Sequence, residues 1–526
     1  MKIVGLSCGA HDTAYCIFEN GKVILHEEYE RFSRIKEEQG DVLSFLFERQ
    51  QQLDDVNVFT HFFMRWRGGL KNIYPESFNK LEKMLEKNNS KYIEISHHLA
   101  HAANAFFSSN FEKSLILSLD GGGEETSNGI NKTHESSFCI FYGHNNKINK
   151  IADFGISLNI GQTWSKITKE VFKLSSGPPI GNQCGTVMAM AAVGKDFEKY
   201  NLDMMECVKN HNYSKFQEWS QLSDEEKFKI AASLQYCTEN VVLTMIDPIF
   251  SKIIDREKIE NICVVGGVAL NGLLNNKILN HFKNIKNIYI PPVPYDAGLA
   301  IGCCQYLYYH EFNHDRILTE INESPYLGIQ YSEKEINDSI EKNNLKIEIT
   351  NDETVIELLN QQKIISIFNE KSESGRRALG NRSIFADPRS ENIKDILNLK
   401  IKHRQWYRPF APIILREYVS EWFEKDLESP YMNLILPFKK DKYNLVPGVV
   451  HFDGTGRVQT VKESDNNWLY NFLKKWNQKT NVPILLNTSF NDREPIVETP
   501  QHAINCFLKT KIDYLYFPEI KTLVSK

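Results

Sequence analysis

Cysteine pairing signals are missing from this chain. Its 10 cysteines are scattered over 526 residues without CxxC spacing, and Cys303 and Cys304 are adjacent. That excludes a disulfide framework and a zinc ribbon, and it points to reduced thiols in a cytoplasmic protein. Long apolar runs are missing too. No segment approaches the roughly 20 residues that cross a bilayer, and Met1-Lys2-Ile3-Val4-Gly5 lacks the charged and apolar regions of a signal peptide. No membrane partner is expected. Charge of one sign is also lacking: 62 Lys and Arg against 67 Asp and Glu leave −5. No global field therefore draws the chain to nucleic acid, although a local basic groove is compatible with that balance. What remains is the composition of a soluble globular protein, 41% hydrophobic and 25% charged. The length exceeds one core, so two or three domains are expected.

The stretch Ile95 to Ala102 reads as a helix and puts His97 and His101 on one face. Downstream, a strand over Leu115 to Leu119 ends on Asp120 and the turn Gly121-Gly122-Gly123-Glu124. Two imidazoles and a carboxylate form a mixed N/O set suited to a divalent first-row metal. The glycines let a phosphate approach the backbone. By itself HxxxH more often marks a helix with satisfied histidines, so the rest of the chain must weigh in.

Strands are predicted over Lys2 to Leu6, Thr13 to Phe18 and Val23 to Glu28, with turns at Cys8 to Asp12 and Glu19 to Lys22. Residues 115–148 repeat the strand, glycine turn, strand pattern, with a tight turn at Gly143 to Lys147. The repetition suggests a duplicated α/β core. Ser77 to Asn88 is an amphipathic helix with Phe78, Leu81, Met84 and Leu85 on its apolar face. Residues 197–258 are helical and read as an insertion. Ile262 to Val265 is a strand running into Gly266-Gly267 and Asn271, a junction whose backbone N–H groups suit an anion. Ile288 to Ile290 is another strand, and Pro291 to Tyr295 is a rigid loop delivering Asp296. That residue is a further candidate ligand, an N-cap to the small-residue helix Ala297 to Gly302, or both.

Composition shifts between 320 and 350, and the polar helical stretch 332–344 marks the domain boundary. The second domain opens with a strand over Lys363 to Phe368. Glu373-Ser374-Gly375-Arg376-Arg377-Ala378-Leu379-Gly380-Asn381-Arg382-Ser383 follows, then Lys402, Arg404 and Arg408, then Arg457, then Asn487 and Ser489. Arg376, Arg377 and Arg382 sit among small and apolar residues rather than on a solvated helix face. Arginine suits bidentate contact with phosphate or carboxyl groups, so an anionic small-molecule site is favoured here.

Taken in order, His11-Asp12, HHLAHA, SLDGGGE, VVGGVALN, PYDAG, SGRRALGNRSIFADPR, YRPFAP and NTSFN resemble the O-carbamoyltransferase family that modifies antibiotics and nodulation factors (the NodU, CmcH and TobZ type). The resemblance spans nearly the whole chain. It implies a duplicated ASKHA-fold domain over 1–340, like that of tRNA threonylcarbamoyl-transfer enzymes, and a YrdC-like α/β domain over 350–526. The implied reaction joins carbamoyl phosphate and ATP into carbamoyl-adenylate and passes the carbamoyl group to a hydroxyl of a sugar, antibiotic or nucleoside. The resemblance also implies a metal set of His97, His101, Asp120 and Asp296 for Fe²⁺ or another divalent ion, Mg²⁺ with ATP, and His11 as the catalytic base, since an unshifted imidazole titrates near neutrality. It implies that Gly121, Gly122, Gly266, Gly267 and Asn271 line the nucleotide, and that Arg377, Lys402, Arg408, Arg457, Asn487 and Ser489 bind carbamoyl phosphate and ATP. A homodimer is the implied assembly.

Two departures stand out. Gly185-Thr186-Val187-Met188-Ala189-Met190-Ala191 lacks the lysine and second glycine of the family's Gly-Lys-Val-Met-Gly-Leu-Ala run, and Glu370 to Glu373 and Arg376 differ from the family's turn before Arg-Ala-Leu-Gly. Three other readings compete. Hydroxymethylated pyrimidines of DNA offer a primary hydroxyl as acceptor. Phe63, Trp66, Tyr74 and Trp164 could stack on a sugar or base, although such residues are more often core. A metallohydrolase is disfavoured because His98, Leu99 and Ala100 leave no glutamate inside HxxxH. A non-catalytic nucleotide-binding scaffold would have lost His11 or the metal set, and both are present.

Overall fold

A computed structural model of the chain has two compact units, Met1–Glu323 and Ser324–Lys526. It describes all residues except 66, 67, 127–132, 317, 319–323 and 344. Trp66 therefore lies outside the described residues. The division falls earlier than the sequence reading puts it, and the helix Glu333–Glu341 belongs to the second unit. Its polarity reflects a solvated helix with only Ile336 and Ile340 buried, not a linker.

The first unit contains two five-stranded sheets of the same plan. In one, β1 (Lys2–Ser7), β2 (Ala14–Glu19) and β3 (Lys22–Glu28) form an antiparallel meander. Strand β4 (Val58–Phe62) then lies parallel to β1, and β5 (Lys91–Ile95) parallel to β4. In the other, β6 (Lys113–Thr126), β7 (Thr133–His144) and β8 (Lys147–Asp153) form the meander, and β9 (Asn261–Val265) and β10 (Asn287–Tyr289) the parallel pair. The orders are β3-β2-β1-β4-β5 and β8-β7-β6-β9-β10. This is the duplication expected from the repeated strand patterns. Helix α1 (Pro75–Asn88) buries Phe78 and Leu81 against the first sheet, with Met84 and Leu85 half-buried beside them. Helix α2 (His97–Ser108) follows β5 and is buried almost all round. Between β8 and β9 the chain adds helices that end in α3 (Asp224–Glu257), where the first half has only short ones between β3 and β4. Helix α4 (Gly272–His281) joins β9 to β10, and α5 (Leu299–Gln305) follows Asp296.

The structure corrects one local expectation. Asp120 to Gly123 is not a turn between strands, because β6 runs on to Thr126. Leu119 pairs with Phe138 and Gly123 with Ser136, so Asp120, Gly121 and Gly122 bulge opposite Ser137 alone. A glycine-rich bulge bends the strand and re-aims the side chain it carries, here Asp120.

The second unit is built on one nine-stranded mixed sheet. Its strands are β11 (Lys346–Ile349), β12 (Ile365–Phe368), β13 (Arg382–Ala386), β14 (Ala411–Leu415), β15 (Leu434–Pro437), β16 (Thr455–Val461), β17 (Ile484–Ser489), β18 (Tyr514–Phe517) and β19 (Thr522–Ser525), in the order β11-β19-β18-β12-β13-β17-β14-β16-β15. Helix α6 (Asn467–Thr480) packs Leu469, Phe472, Leu473 and Trp476 onto Phe385, Ile413 and Leu485 of the sheet. The fold class is α/β, as expected. All ten cysteines are unpaired. Among the described residues no helix is long and apolar enough to cross a membrane.

Candidate functional site

In the first unit, α2 carries two imidazoles on one face, with ring centroids 4.8 Å apart. Ser96 gives the helix no side-chain cap. Instead Glu125 Oε1, from the end of β6, accepts the His98 N–H at 2.6 Å, and Lys150 Nζ holds Glu125 Oε2 at 2.8 Å. The β6 bulge presents Asp120. Its Oδ1 accepts the Gly267 N–H at 2.8 Å, and its Oδ2 lies 3.2 Å from His97 Nε2 and 3.8 Å from His101 Nε2. Asp296 brings Oδ1 to 3.4 Å from His101 Nε2 and 3.8 Å from His97 Nε2. One donor atom from each of the four residues lies within 4.8 Å of the others, and all four are buried.

Clearance fixes the glycines here. A Cβ on Gly123 would stand 2.1 Å from His97 Cγ. One on Gly266, whose φ is +92, would stand 2.0 Å from the Leu119 carbonyl oxygen. Among the described residues, His101 Nε2 and Asp296 Oδ1 have no hydrogen-bond partner. The turn that begins at Asp296 also has no side-chain cap, so the expected N-cap contact is not made. Buried polar atoms that converge without a donor between them are the arrangement a cation satisfies. Burial pulls the His101 pKa down, but the nearby negative charges of Asp120 and Asp296 outweigh it and raise the value to about 9.

His11 stands on the loop between β1 and β2, its Nδ1 2.7 Å from Asp12 Oδ2. Asp12 has a φ of 57, in the left-handed region that asparagine and aspartate tolerate best among non-glycine residues. Burial disfavours the imidazolium, but the Asp12 carboxylate outweighs that, aided by Asp296 and Glu37, and raises the pKa to about 10. The expectation of an unshifted imidazole is therefore corrected: at neutral pH this side chain is a cation.

The glycine positions read as nucleotide contacts divide. Gly121 is exposed, and its carbonyl accepts from Asn159 Nδ2 at 2.7 Å, while Gly122 lies beside it in the bulge at a φ of 144. Gly266 packs on Leu119, and the Gly267 N–H is taken by Asp120, so the anion held at this junction is an internal carboxylate. Asn271 Oδ1 caps α4 through Leu274 N at 3.1 Å, and its Nδ2 donates to Gln235 Oε1 of α3 at 2.9 Å. Thr186 is buried, with its hydroxyl unpartnered, where the family pattern has lysine. Trp164 is core and donates to Thr238 Oγ1, and Tyr74 receives Cys8 Sγ at 3.4 Å. A second acidic cluster of Glu125, Cys139 and Asp153 already has its cation, since Lys150 Nζ lies 2.8 Å from Glu125 and 3.0 Å from Asp153.

In the second unit the arginines split by role. Arg382 is fully buried, stacks 3.6 Å above the Phe368 ring, and donates to the carbonyls of Asn369 (2.6 Å) and Glu370 (3.1 Å). It is a structural clamp, which removes it from the anionic site the sequence suggests. Lys402 is buried too and spends its ammonium on Ser489 and on Asn491 Oδ1 at 2.7 Å, so it shapes the loop that carries Ser489. Asn487 donates to Gln459 Oε1 at 2.7 Å and leaves its own Oδ1 unpartnered. Arg377 is half-buried on its loop. Arg408 and Arg457 are different: neither has a hydrogen-bonded or ion-paired carboxylate among the described residues, and Arg457 Nε is buried without a partner. Arg404, not assigned a role from sequence, joins them. Its pKa is depressed by burial and then by the positive charges of Arg408 and Arg457.

Family models decide the class. Carbamoyltransferase N-terminus matches residues 69–304 and Carbamoyltransferase C-terminus matches residues 356–525. Nodulation protein NolO of Bradyrhizobium diazoefficiens is 30% identical over 445 residues, 80% of this chain and 77% of its own length. This chain belongs to the carbamoyltransferase family. Nodulation protein NolNO of Sinorhizobium fredii is 29% identical over 96% of this chain and 78% of its own. An uncharacterised Methanocaldococcus jannaschii protein, MJ1058, is 31% identical over 85% and 76%. The solved HypF of T. kodakarensis overlaps 59% of this chain and 48% of its own at a TM-score of 0.37 and 13% identity. The four buried metal-type donors of this carbamoyltransferase fall in the N-terminal match, and Arg377, Lys402, Arg408, Arg457, Asn487 and Ser489 fall in the C-terminal one.

Two neighbouring histidines of this carbamoyltransferase make a pH prediction. His98 bonds Ser118 Oγ and the Ser136 carbonyl, both at 2.8 Å, and burial, then the positive charge of His97 and His101, lowers its pKa to about 3. Burial lowers that of His61 to about 4. Below the ordinary value near 6.5 the unfolded chain takes up protons that these native imidazoles refuse, so stability falls with pH. Histidines with raised values, such as His11 and His101, are protonated in both states there and change little. Urea melts at pH 6 and pH 5 should differ by about 2 kcal/mol from this pair, and His61→Asn should remove about half of that. An unchanged difference in His61→Asn would assign the acid sensitivity elsewhere.

Proposed function

We propose that this carbamoyltransferase draws its carbamoyl group from carbamoyl phosphate and ATP and passes it to a hydroxyl of a sugar, natural product or nucleoside. The observation that carries the reading is the pair of half-buried arginines, Arg408 and Arg457, with no bonded carboxylate among the described residues, in a chain whose other unit gathers two histidines and two aspartates. Carbamoyl phosphate is an anionic mixed anhydride and ATP is a polyanion, so a site joining them must supply uncompensated cations. Water releases orthophosphate from carbamoyl phosphate, the carbamate oxygen attacks the ATP α-phosphorus, and the bond to pyrophosphate breaks. Carbamoyl-adenylate results. The acceptor oxygen then attacks the carbamoyl carbon, the bond to AMP breaks, and the acceptor proton needs a base.

His97, His101, Asp120 and Asp296 are the residues that would hold a divalent ion, with Fe²⁺ the first candidate. When bound, such an ion supplies Lewis-acid polarisation and charge neutralisation for an adenylate. Asp120 is oriented for this by the Gly267 N–H, and His97 by its packing on Gly123. His11 faces the acceptor in this reading. Asp12 keeps it protonated at rest, so it takes a proton only from its neutral fraction.

The test has two parts. With ATP, carbamoyl phosphate, Mg²⁺ and Fe²⁺, mass spectrometry should find pyrophosphate and carbamoyl-adenylate only when carbamoyl phosphate is present. Absence of both from folded, metal-loaded protein refutes the activation reading. Once an acceptor is found by screening sugars beside hydroxymethylated DNA, single-turnover transfer should rise about tenfold per pH unit until about pH 10. Asp12→Asn should move that limit down toward the ordinary value near 6.5, and His11→Ala should abolish transfer while leaving activation. A transfer rate that stays flat from pH 7 to 9 removes His11 as the base.

A further inference from the structure

Two large aromatic side chains of the second unit lie half in solvent, Trp406 at 52% and Phe452 at 53% exposure. Two exposed rings of this size in contact form an apolar surface at the edge of the unit. Their centroids are 5.2 Å apart and their planes meet at 84°, so they form a corner: one ring offers its face where the other stands as a wall. The corner is rigid at its base. Buried Asn398 donates to the carbonyls of Trp406 and Arg408 at 3.3 and 3.2 Å and accepts from Arg404 Nε at 2.8 Å, which cinches residues 404–408 into one loop. His451 Nε2 meets the Tyr407 carbonyl at 3.1 Å and ties that loop to the turn before β16.

These same two segments carry the uncompensated arginines. Arg408 is two residues beyond Trp406, and Arg457 follows Phe452 at the start of β16. Lys394 Nζ adds a further cation 5.7 Å from the Phe452 centroid. Two arginines without a bonded carboxylate among the described residues, on the segments that carry an aromatic corner, match one ligand chemistry, a planar heteroaromatic ring joined to a polyphosphate. Every nucleobase has a π-face to stack, and a purine has the larger area.

We propose that Trp406 and Phe452 form the base platform of a nucleotide site in the second unit, with the purine of ATP seated in their corner and its phosphates on Arg408 and Arg457. This rests on the reading of that unit as the place where ATP is activated, and it assigns the half of the ligand that arginines cannot recognise. The aromatic pair determines affinity for the base. The arginines determine affinity for phosphate irrespective of base.

Carbamoyl-phosphate-dependent pyrophosphate release by the full chain tests the division, with inorganic tripolyphosphate as a competitive inhibitor that carries charge but no base. Trp406→Ala should raise the KM for ATP about tenfold or more. The inhibition constant of tripolyphosphate should stay within about twofold. Phe452→Ala should act in the same direction, and Trp406→Phe should restore most of the loss. Arg408→Ala should weaken ATP and tripolyphosphate together. If Trp406→Ala and Phe452→Ala leave the preference for ATP over tripolyphosphate intact while Arg408→Ala weakens both, the platform is wrong and the phosphate reading stands. If Arg408→Ala changes neither, or if no pyrophosphate is released by the unmutated protein, the reading beneath fails and the platform with it.

Discussion

Alanine in place of His101 will leave the purified protein unable to retain a divalent ion. The imidazole Nε2 is fully buried, lies 3.4 Å from Asp296 Oδ1 and 3.8 Å from Asp120 Oδ2, and has no hydrogen-bond partner among the described residues. No other nitrogen ligand in the cluster can replace it, because His97 Nε2 is already 3.2 Å from Asp120 Oδ2. Losing an outer hydrogen-bonding partner costs roughly 10- to 100-fold in metal affinity, and losing a ligand should exceed that. Elemental analysis after anaerobic loading with Fe²⁺ reads this directly. A second readout is thermal stability. Ion at about 100 times its Kd should add about 2.7 kcal/mol to the unmutated protein and nothing to His101→Ala. Asp120→Asn should behave like the alanine variant: it can keep the Gly267 contact at Oδ1 while losing the charge that faces both imidazoles. His98→Ala separates the roles. That histidine bonds Ser118 and Ser136 rather than the cluster, so its loss should cost stability through unsatisfied buried groups, about 1–3 kcal/mol, more than metal content. Stoichiometric ion in His101→Ala would end the assignment of this cluster.

Spacing alone was enough to pair His97 with His101, because residues four apart on a helix share a face. The repeated strand patterns were likewise enough to expect two copies of one sheet plan, since alternation and tight turns are local properties. Asp120 shows where local reading stops. A glycine run after a strand looks the same whether the chain turns or bulges, and only the pairing of Gly123 with Ser136 distinguishes them. The Gly266-Gly267 junction offers its amides to an anion, as such junctions do, but the anion is a side chain brought from another strand. His11 shows the same limit in electrostatics: its neighbour in sequence is visible, but the left-handed backbone at Asp12 that closes the 2.7 Å contact is not. Arg382 follows Gly380-Asn381 and Arg408 lies between Tyr407 and Pro409, and in sequence both are simply cations outside a solvated helix face. Carbonyls within reach make the first a clamp, and among the described residues the second has none bonded to its guanidinium.

Arg408→Ala will suppress carbamoyl-phosphate-dependent pyrophosphate release while leaving the ion of the first unit in place. Burial depresses the Arg408 pKa, but guanidinium stays charged, so the protein holds a half-buried cation that no bonded carboxylate among the described residues offsets. Arg457, pushed down to about 10 by burial and by Arg408, adds a second positive charge at the same place. An arrangement this unfavourable in the free protein stabilises whatever brings negative charge, and most of all a transition state in which charge builds on phosphoryl oxygens. Removing one such preorganised donor typically costs about 10²- to 10³-fold in rate, and that is the loss expected here. Arg408→Lys should recover only part of it, because a point charge lacks the planar fork. Carbamoyl-adenylate supplied ready-made should still be consumed by Arg408→Ala once the acceptor is known, which separates activation from transfer. Arg382→Ala gives the contrasting outcome, a loss of folding stability from the carbonyls it clamps rather than a selective loss of activation. Undiminished pyrophosphate release in Arg408→Ala would mean that the uncompensated arginines serve some other anion.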